Sequence, residues 1–263
     1  MDPKVTVAGF LVGFMVGLTG MGGAALMTPI LILLFGVRPL VAVGTDLAYG
    51  AVTKIVGAWQ HHRQGSVDWR LGLLMASASV PASLVGVLMT KYISETNPSF
   101  VDFLIGRTLG IALVLVALAM LAKLFLAGRR AQIRATLDNL PLARRRASFK
   151  LALTIFWGAV VGFLVGLTSV GSGSLIVPFL ALVYPLSARQ VVGTDVFQAS
   201  LLVSAAAMTH LYAGSVDLPL AGNLLLGSIP GVLLGSRLAA RAPDRLLRGT
   251  LAVLLLGIGT RMI

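Results

Sequence analysis

Two short glycine-rich stretches carry the residue types that could do chemistry in this chain. The first is Gly17-Leu18-Thr19-Gly20-Met21-Gly22-Gly23. The second is Gly166-Leu167-Thr168-Ser169-Val170-Gly171-Ser172, continuing through Gly173 and Ser174. Each lies inside an apolar run, and a proline, Pro29 or Pro178, follows seven residues after Gly22 or Gly171. Glycine lets a ligand approach the backbone closely. A helix that restarts after such a break presents free N–H groups and the positive end of its dipole. Restarts near Ala24 and Ser174 would aim those groups at the break, and Thr19, Thr168, Ser169, Ser172 and Ser174 add hydroxyl donors. The chemistry this predicts is non-covalent: capture of a small anion by backbone and hydroxyl hydrogen bonds. The competing explanation is close helix packing through small residues, which Gly13, Gly17, Gly162 and Gly166 suit well.

A second set of candidates follows each stretch. Thr45-Asp46 and Thr194-Asp195 are expected to begin the next spans. Aspartate at a helix start is often only a cap. The functional alternative is a carboxylate that binds a coupling proton or holds the glycine loop. Tyr49 and Gln198 fall one turn further along and could face a cavity. Lys54 is a lysine within a span, which either serves a site or snorkels to the interface. His61 and His210 flank the same spans and read as interfacial structural histidines or as proton relays. Trp59 and Trp69 read as interface anchors.

The elements that must position these residues are membrane helices. The chain has 263 residues, 57% hydrophobic and 11% charged, with a mean hydropathy of +0.94. A bilayer core needs about 20 apolar residues per helix, and several stretches meet that length. The expected class is therefore an all-α polytopic membrane protein, with the lipid bilayer as its surroundings. A net charge of +12 could suggest nucleic acid, but basic residues in cytoplasmic loops account for it and no nucleic-acid partner is expected. There are no cysteines and three histidines, so no metal cluster is expected. No cofactor is expected, and no phosphate-binding lysine loop for ATP is present. The first 25 residues have a signal-peptide pattern, but it returns at Leu151–Ser174, so the N-terminus is expected to belong to the fold.

The chain is a duplication. At an offset of 149 residues the halves align without a gap from Gly13 to Gly86. Val43-Gly44-Thr45-Asp46 falls on Val192-Gly193-Thr194-Asp195, His61 on His210, Gly65-Ser66-Val67-Asp68 on Gly214-Ser215-Val216-Asp217, and Pro81 on Pro230. The expected organisation is a first repeat over 1–127, a basic cytoplasmic linker over 128–150 and a second repeat over 151–263. The pieces on either side of the first break, Val5 to Leu18 and Ala24 to Phe35, are each too short to cross a bilayer. Broken spans would give four crossings per repeat and parallel halves. Re-entrant hairpins would give three crossings and inverted halves. Inversion puts Arg189 and the Arg237–Arg248 cluster on the side of the linker, which the positive-inside rule favours.

The paired signature GLTGMGG…P…VGTD and GLTSVGSGS…P…VGTD, with HxxxGSVD after each, resembles the TauE/SafE sulfite exporter family over nearly the whole chain. The resemblance implies a bacterial inner-membrane carrier that exports sulfite or sulfur-containing organic anions such as sulfoacetate. The serine-rich second break and the unpaired Lys54, which falls on Val203, belong to this sequence in particular. Two other readings stand beside it. One is a carrier or importer of a different small anion. The other is a non-transporting membrane scaffold or enzyme, which would need a catalytic constellation that the sequence does not offer.

Overall fold

A computed structural model describes residues 3–19, 24–126, 146–239 and 244–263. Among these residues every element is a helix: α1 (Pro3–Thr19), α2 (Ala24–Leu33), α3 (Pro39–Arg63), α4 (Trp69–Thr96), α5 (Pro98–Leu126), α6 (Arg146–Thr168), α7 (Ile176–Val183), α8 (Ala188–Tyr212), α9 (Leu218–Ala239) and α10 (Asp244–Met262). Six of them, α3, α4, α5, α6, α8 and α9, are long and apolar enough to cross a membrane. Leucine, isoleucine, valine and phenylalanine side chains stand exposed along α4, α5 and α9, as a surface facing lipid requires.

Local chemistry sets the boundaries. Pro39 opens α3 in its first turn. Ser187 and Gln190 form a capping box at the start of α8. Asp68 caps α4 by accepting the Leu71 N–H, and Asp217 accepts the Leu220 N–H at the start of α9. Gly65 and Gly214 take left-handed φ values of 63° and 70° just past the ends of α3 and α8. Three boundaries differ from the sequence reading. Asp46 and Asp195 do not begin their helices: Pro39 and the Ser187 box start α3 and α8 two turns earlier, so neither carboxylate is a cap. The second restart falls at Ile176 rather than Ser174, because the Leu175 N–H still bonds back to Gly171 in the turn. α6 begins at Arg146, inside the stretch read as linker, while residues 127–145 lie outside the described residues.

The two halves are interleaved rather than side by side. α1 packs on α9, and its counterpart α6 packs on α4. Both contacts run parallel and backbone to backbone: Gly9 meets Leu224 and Gly13 meets Ser228, while Gly158 meets Met75 and Gly162 meets Ser79. A methyl group on Gly9, Gly13 or Gly162 would strike the neighbouring main chain, and one on Gly158 would press on it at 3.1 Å, which is the close approach small residues permit. The counterparts α3 and α8 pack on each other and run antiparallel. Gly44 lies beside His210, Gly50 beside Val203 and Gly57 beside Val196. α5 and α10 pair in turn, where Gly110 meets Gly259.

The repeated motifs form the seam. Thr45 of the first VGTD accepts the Asp217 N–H of the second GSVD at 3.0 Å, and Thr194 accepts the Asp68 N–H at 2.9 Å. Gly44 and Gly193 let these turns seat, each lying under the serine carbonyl of the opposite GSVD. His61 and His210 bond the serine of their own turn, Ser66 at 3.0 Å and Ser215 at 2.8 Å. That arrangement fixes the turns presented across the seam.

Candidate functional site

The second glycine break is fully described and lies inside the protein. Between Thr168 and Ile176 the chain leaves helix through three left-handed residues: Ser169 at φ 61°, Gly171 at 127° and Gly173 at 94°. Glycine takes such values freely, whereas for serine they are uncommon and mark a conformation held by its surroundings. Thr168, Ser169, Val170, Gly171, Ser172 and Gly173 are all buried, and Ser174 is half-buried. The Thr168 hydroxyl turns back to the Leu164 carbonyl at 2.7 Å and so serves its own helix.

What holds Ser169 is a buried carboxylate. Its Oγ lies 2.6 Å from Oδ2 of Asp46, and the hydroxyl of Thr28 lies 2.7 Å from the same oxygen. Thr28 and Ser169 are themselves 2.6 Å apart. Three elements thus meet at Asp46: α2, α3 and the break of the opposite half. Asp46 is 1% exposed and Asp195, its counterpart on α8, 3%. The Gly173 N–H is directed at the Asp195 carboxylate, so Asp195 meets the break of its own half.

One turn beyond each aspartate stands a second polar pair. The Gln198 amide donates to Ser79 at 2.6 Å, and the Tyr49 hydroxyl faces Ser228, the counterpart of Ser79. Lys54 lies one turn past Gly50, where α3 and α8 cross, and acts electrostatically on both Asp46 and Asp195. It forms no ion pair with either within 4.0 Å, whereas Arg38 and Asp102 pair at 3.2 Å near the start of α3. Six buried side-chain atoms have no hydrogen-bond partner among the described residues. Four belong to this cluster: Oδ1 of Asp46, Oγ of Ser172, Oδ1 of Asp195 and Oε1 of Gln198. Buried polar atoms of this kind are rare and concentrate where a ligand or proton is handled.

The structure therefore brings together Ser169, Ser172, Gly173, Asp46, Asp195, Tyr49, Gln198 and Lys54. It sets Thr45 and Thr194 apart, at the seam between halves. Gly20, Met21, Gly22, Gly23 and the Thr19 side chain lie outside the described residues. Sequence reasoning missed Thr28 and Ser79. Thr28 is the one hydroxyl in the apolar run Ala24–Leu33, and Ser79 recurs in register as Ser228. Either oddity was available as a signal.

A helical bundle of membrane-spanning length, interrupted at Ser169–Ser174 by a buried glycine turn beside a polar cluster, is the architecture of a membrane carrier. The chain belongs to the sulfite exporter TauE/SafE family, whose profile matches residues 5–262. It is 43% identical over the full length of both chains to the probable membrane transporter protein YjnA of Bacillus subtilis. It is 29% identical to YdhB of the same organism over 92% of each chain. To the probable membrane transporter protein MJ0441 of Methanocaldococcus jannaschii it is 26% identical, over 99% of this chain and 95% of the relative. No solved structure gives a significant match. The protein is thus a multi-pass transporter of the cytoplasmic membrane.

Proposed function

We propose that the protein exports small sulfur-containing anions, sulfite or an organosulfonate such as sulfoacetate, by alternating access. The observation that carries this reading is the buried break at Ser169–Ser174, which holds the unpaired Ser172 hydroxyl and brings Gly173 to Asp195. Tetrahedral or pyramidal oxyanions suit such donors, and Lys54 supplies the positive charge. An inside-negative potential favours efflux by about 2.3 kcal/mol per charge per 100 mV.

The halves are read as inverted repeats of 1–127 and 151–263 joined by a cytoplasmic linker. The antiparallel packing of the counterparts α3 and α8 supports this, because parallel repeats would run them in one direction. On this reading α1 with α2, and α6 with α7, form re-entrant hairpins beside three crossings per half; α6 is long enough to cross and would have to enter at a tilt, and α10 would have to serve as a crossing though its apolar part is shorter. Alternating access would slide one half against the other at the Thr45–Asp217 and Thr194–Asp68 contacts.

The test is flux in proteoliposomes with sulfite, sulfoacetate, sulfate and chloride. Saturable flux of sulfite or sulfoacetate, competed by neither chloride nor sulfate, is the expected result. Folded protein that carries none of the four refutes the substrate class.

A further inference from the structure

Asp46 Oδ2, Thr28 Oγ1 and Ser169 Oγ stand in a triangle with sides of 2.7, 2.6 and 2.6 Å. Oxygens at that separation are hydrogen-bonded, so each side needs one hydrogen. Threonine and serine hydroxyls bring one hydrogen each, and an ionised carboxylate brings none. Two hydrogens cannot fill three sides. If both hydroxyls donated to an ionised Asp46, the Thr28 and Ser169 oxygens would face each other at 2.6 Å with nothing between them. The third hydrogen belongs on the carboxyl group.

We infer that Asp46 carries a proton in this state and that this proton is the ion coupled to anion passage, one proton for each anion. The seat of the proton follows from the triangle alone; its coupling rests on the carrier reading above. The groups around Asp46 give the coupling its sign. α3 brings Lys54 and Tyr49, α2 brings only the Thr28 hydroxyl, and the break brings only Ser169. α8 brings Asp195, which shares Lys54. With both aspartates ionised, two negative charges face one ammonium and an arriving anion meets a net repulsion. A proton on Asp46 makes the cluster neutral and admits the anion. Release is the reverse: the carboxylic acid gives its proton to water on the open side and becomes carboxylate as the anion departs. Losing that hydrogen leaves the Thr28–Ser169 side unfilled, so α2 of one half and the break of the other separate. Proton loss thereby loosens a contact that alternating access must break.

The experiment uses the purified full-length protein in proteoliposomes. Infrared difference spectra of wild type against Asp46→Asn are expected to give one carboxylic-acid carbonyl band, shifted in D2O and absent from the variant. Thr28→Val and Ser169→Ala keep the carboxyl and are each expected to move the band to higher frequency, because the ring is opened. These two carry the test if Asp46→Asn does not fold. Spectra in which none of the three variants alters a carboxylic-acid band overturn the assignment. Sulfoacetate, which holds no proton of its own near neutrality, is then released from vesicles containing a pH dye. Internal alkalinisation at one proton per anion is expected; flux without a pH change overturns the coupling. Absence of sulfoacetate flux beside an intact Asp46 band upholds the proton and fails the carrier reading instead.

Discussion

Gly162→Ala is the sharpest perturbation of the packing that positions the site. On α6, Gly162 lies against α4 so closely that an added Cβ would stand 2.6 Å from the Ser79 Cα and 2.7 Å from its carbonyl carbon, with the carbonyl oxygen nearer still. Ordinary contact begins at 3.4 Å, so α4 must retreat by about 0.8 Å or more. The obstacle is main chain, which cannot rotate aside. Overpacking of this kind costs roughly 1–3 kcal/mol, and the higher helix propensity of alanine returns at most about 1 kcal/mol. The net loss of about 0–3 kcal/mol corresponds to a fall of up to roughly 12 °C in apparent Tm for a chain of this size. The same displacement moves Ser79, which accepts from Gln198 at 2.6 Å, and so disturbs a hydrogen bond that tolerates only a few tenths of an ångström. Anion flux should therefore fall even in protein that remains folded.

Two companions make the reasoning refutable. At Gly158 an added Cβ would meet Met75 O at 3.1 Å, a misfit of a few tenths of an ångström, and at Gly106 it would meet nothing within 4 Å. Gly158→Ala should lose little stability and Gly106→Ala none. Thermal unfolding in detergent, followed by the loss of monodisperse protein, ranks the three. Equal Tm values and equal flux for wild type and Gly162→Ala would sink the claim that α4 and α6 touch through main chain at this turn.

Two further outcomes follow from the same geometry. The chain lacks cysteine, so single cysteines at the exposed positions Gln64 and Tyr212, past or at the ends of α3 and α8, should react with a membrane-impermeant maleimide from opposite faces; reaction from one common face refutes inverted repeats. At Gly171 a methyl group would have room, its nearest neighbours lying at 3.5 Å, but φ is +127°. Gly171→Ala should therefore cost about 1–3 kcal/mol through backbone strain and abolish flux by re-aiming the break, and an unchanged Tm with full transport would show that the turn is not needed.

How much of this could be read in the sequence depends on whether a residue acts within its own repeat or across the seam. The membrane helices, the interrupted runs and the internal match were legible because hydropathy and an unbroken 149-residue register are properties of the string. Asp46 and Asp195 were legible as candidates, since a carboxylate in an apolar span is expensive unless it is used. Their depth was not, because the start of α3 is set by Pro39 and that of α8 by a side-chain capping box. The role of the repeated Thr-Asp and Ser-Val-Asp motifs was also out of reach. Thr45 and Asp217 are 172 residues apart, and only the antiparallel crossing of α3 and α8 brings them together. Thr28 was passed over for the same reason: its meaning lies in Ser169, 141 residues away.

The duplicated scaffold is symmetric where its helices pack and asymmetric around the two buried aspartates. Gly9 and Gly158, Gly13 and Gly162, Thr45 and Thr194, and Asp68 and Asp217 make the same contacts in both halves. The ring around Asp46 has no such copy. Thr28 corresponds to Val177, Ser169 to Gly20 and Lys54 to Val203, so Asp195 is offered neither hydroxyl. Two carboxylates at equivalent depth have been given different surroundings: each keeps Oδ1 unpaired, but Asp46 joins a ring of three oxygens while Asp195 faces Gly173. A proton that must sit in one definite place requires such a difference, because two identical sites would share it equally. A single lysine suffices for both aspartates because it stands near the crossing of α3 and α8, where one charge reaches either half. On the proposed reading the asymmetry divides the labour, with Asp46 holding the proton and Asp195 facing the break that would receive the anion.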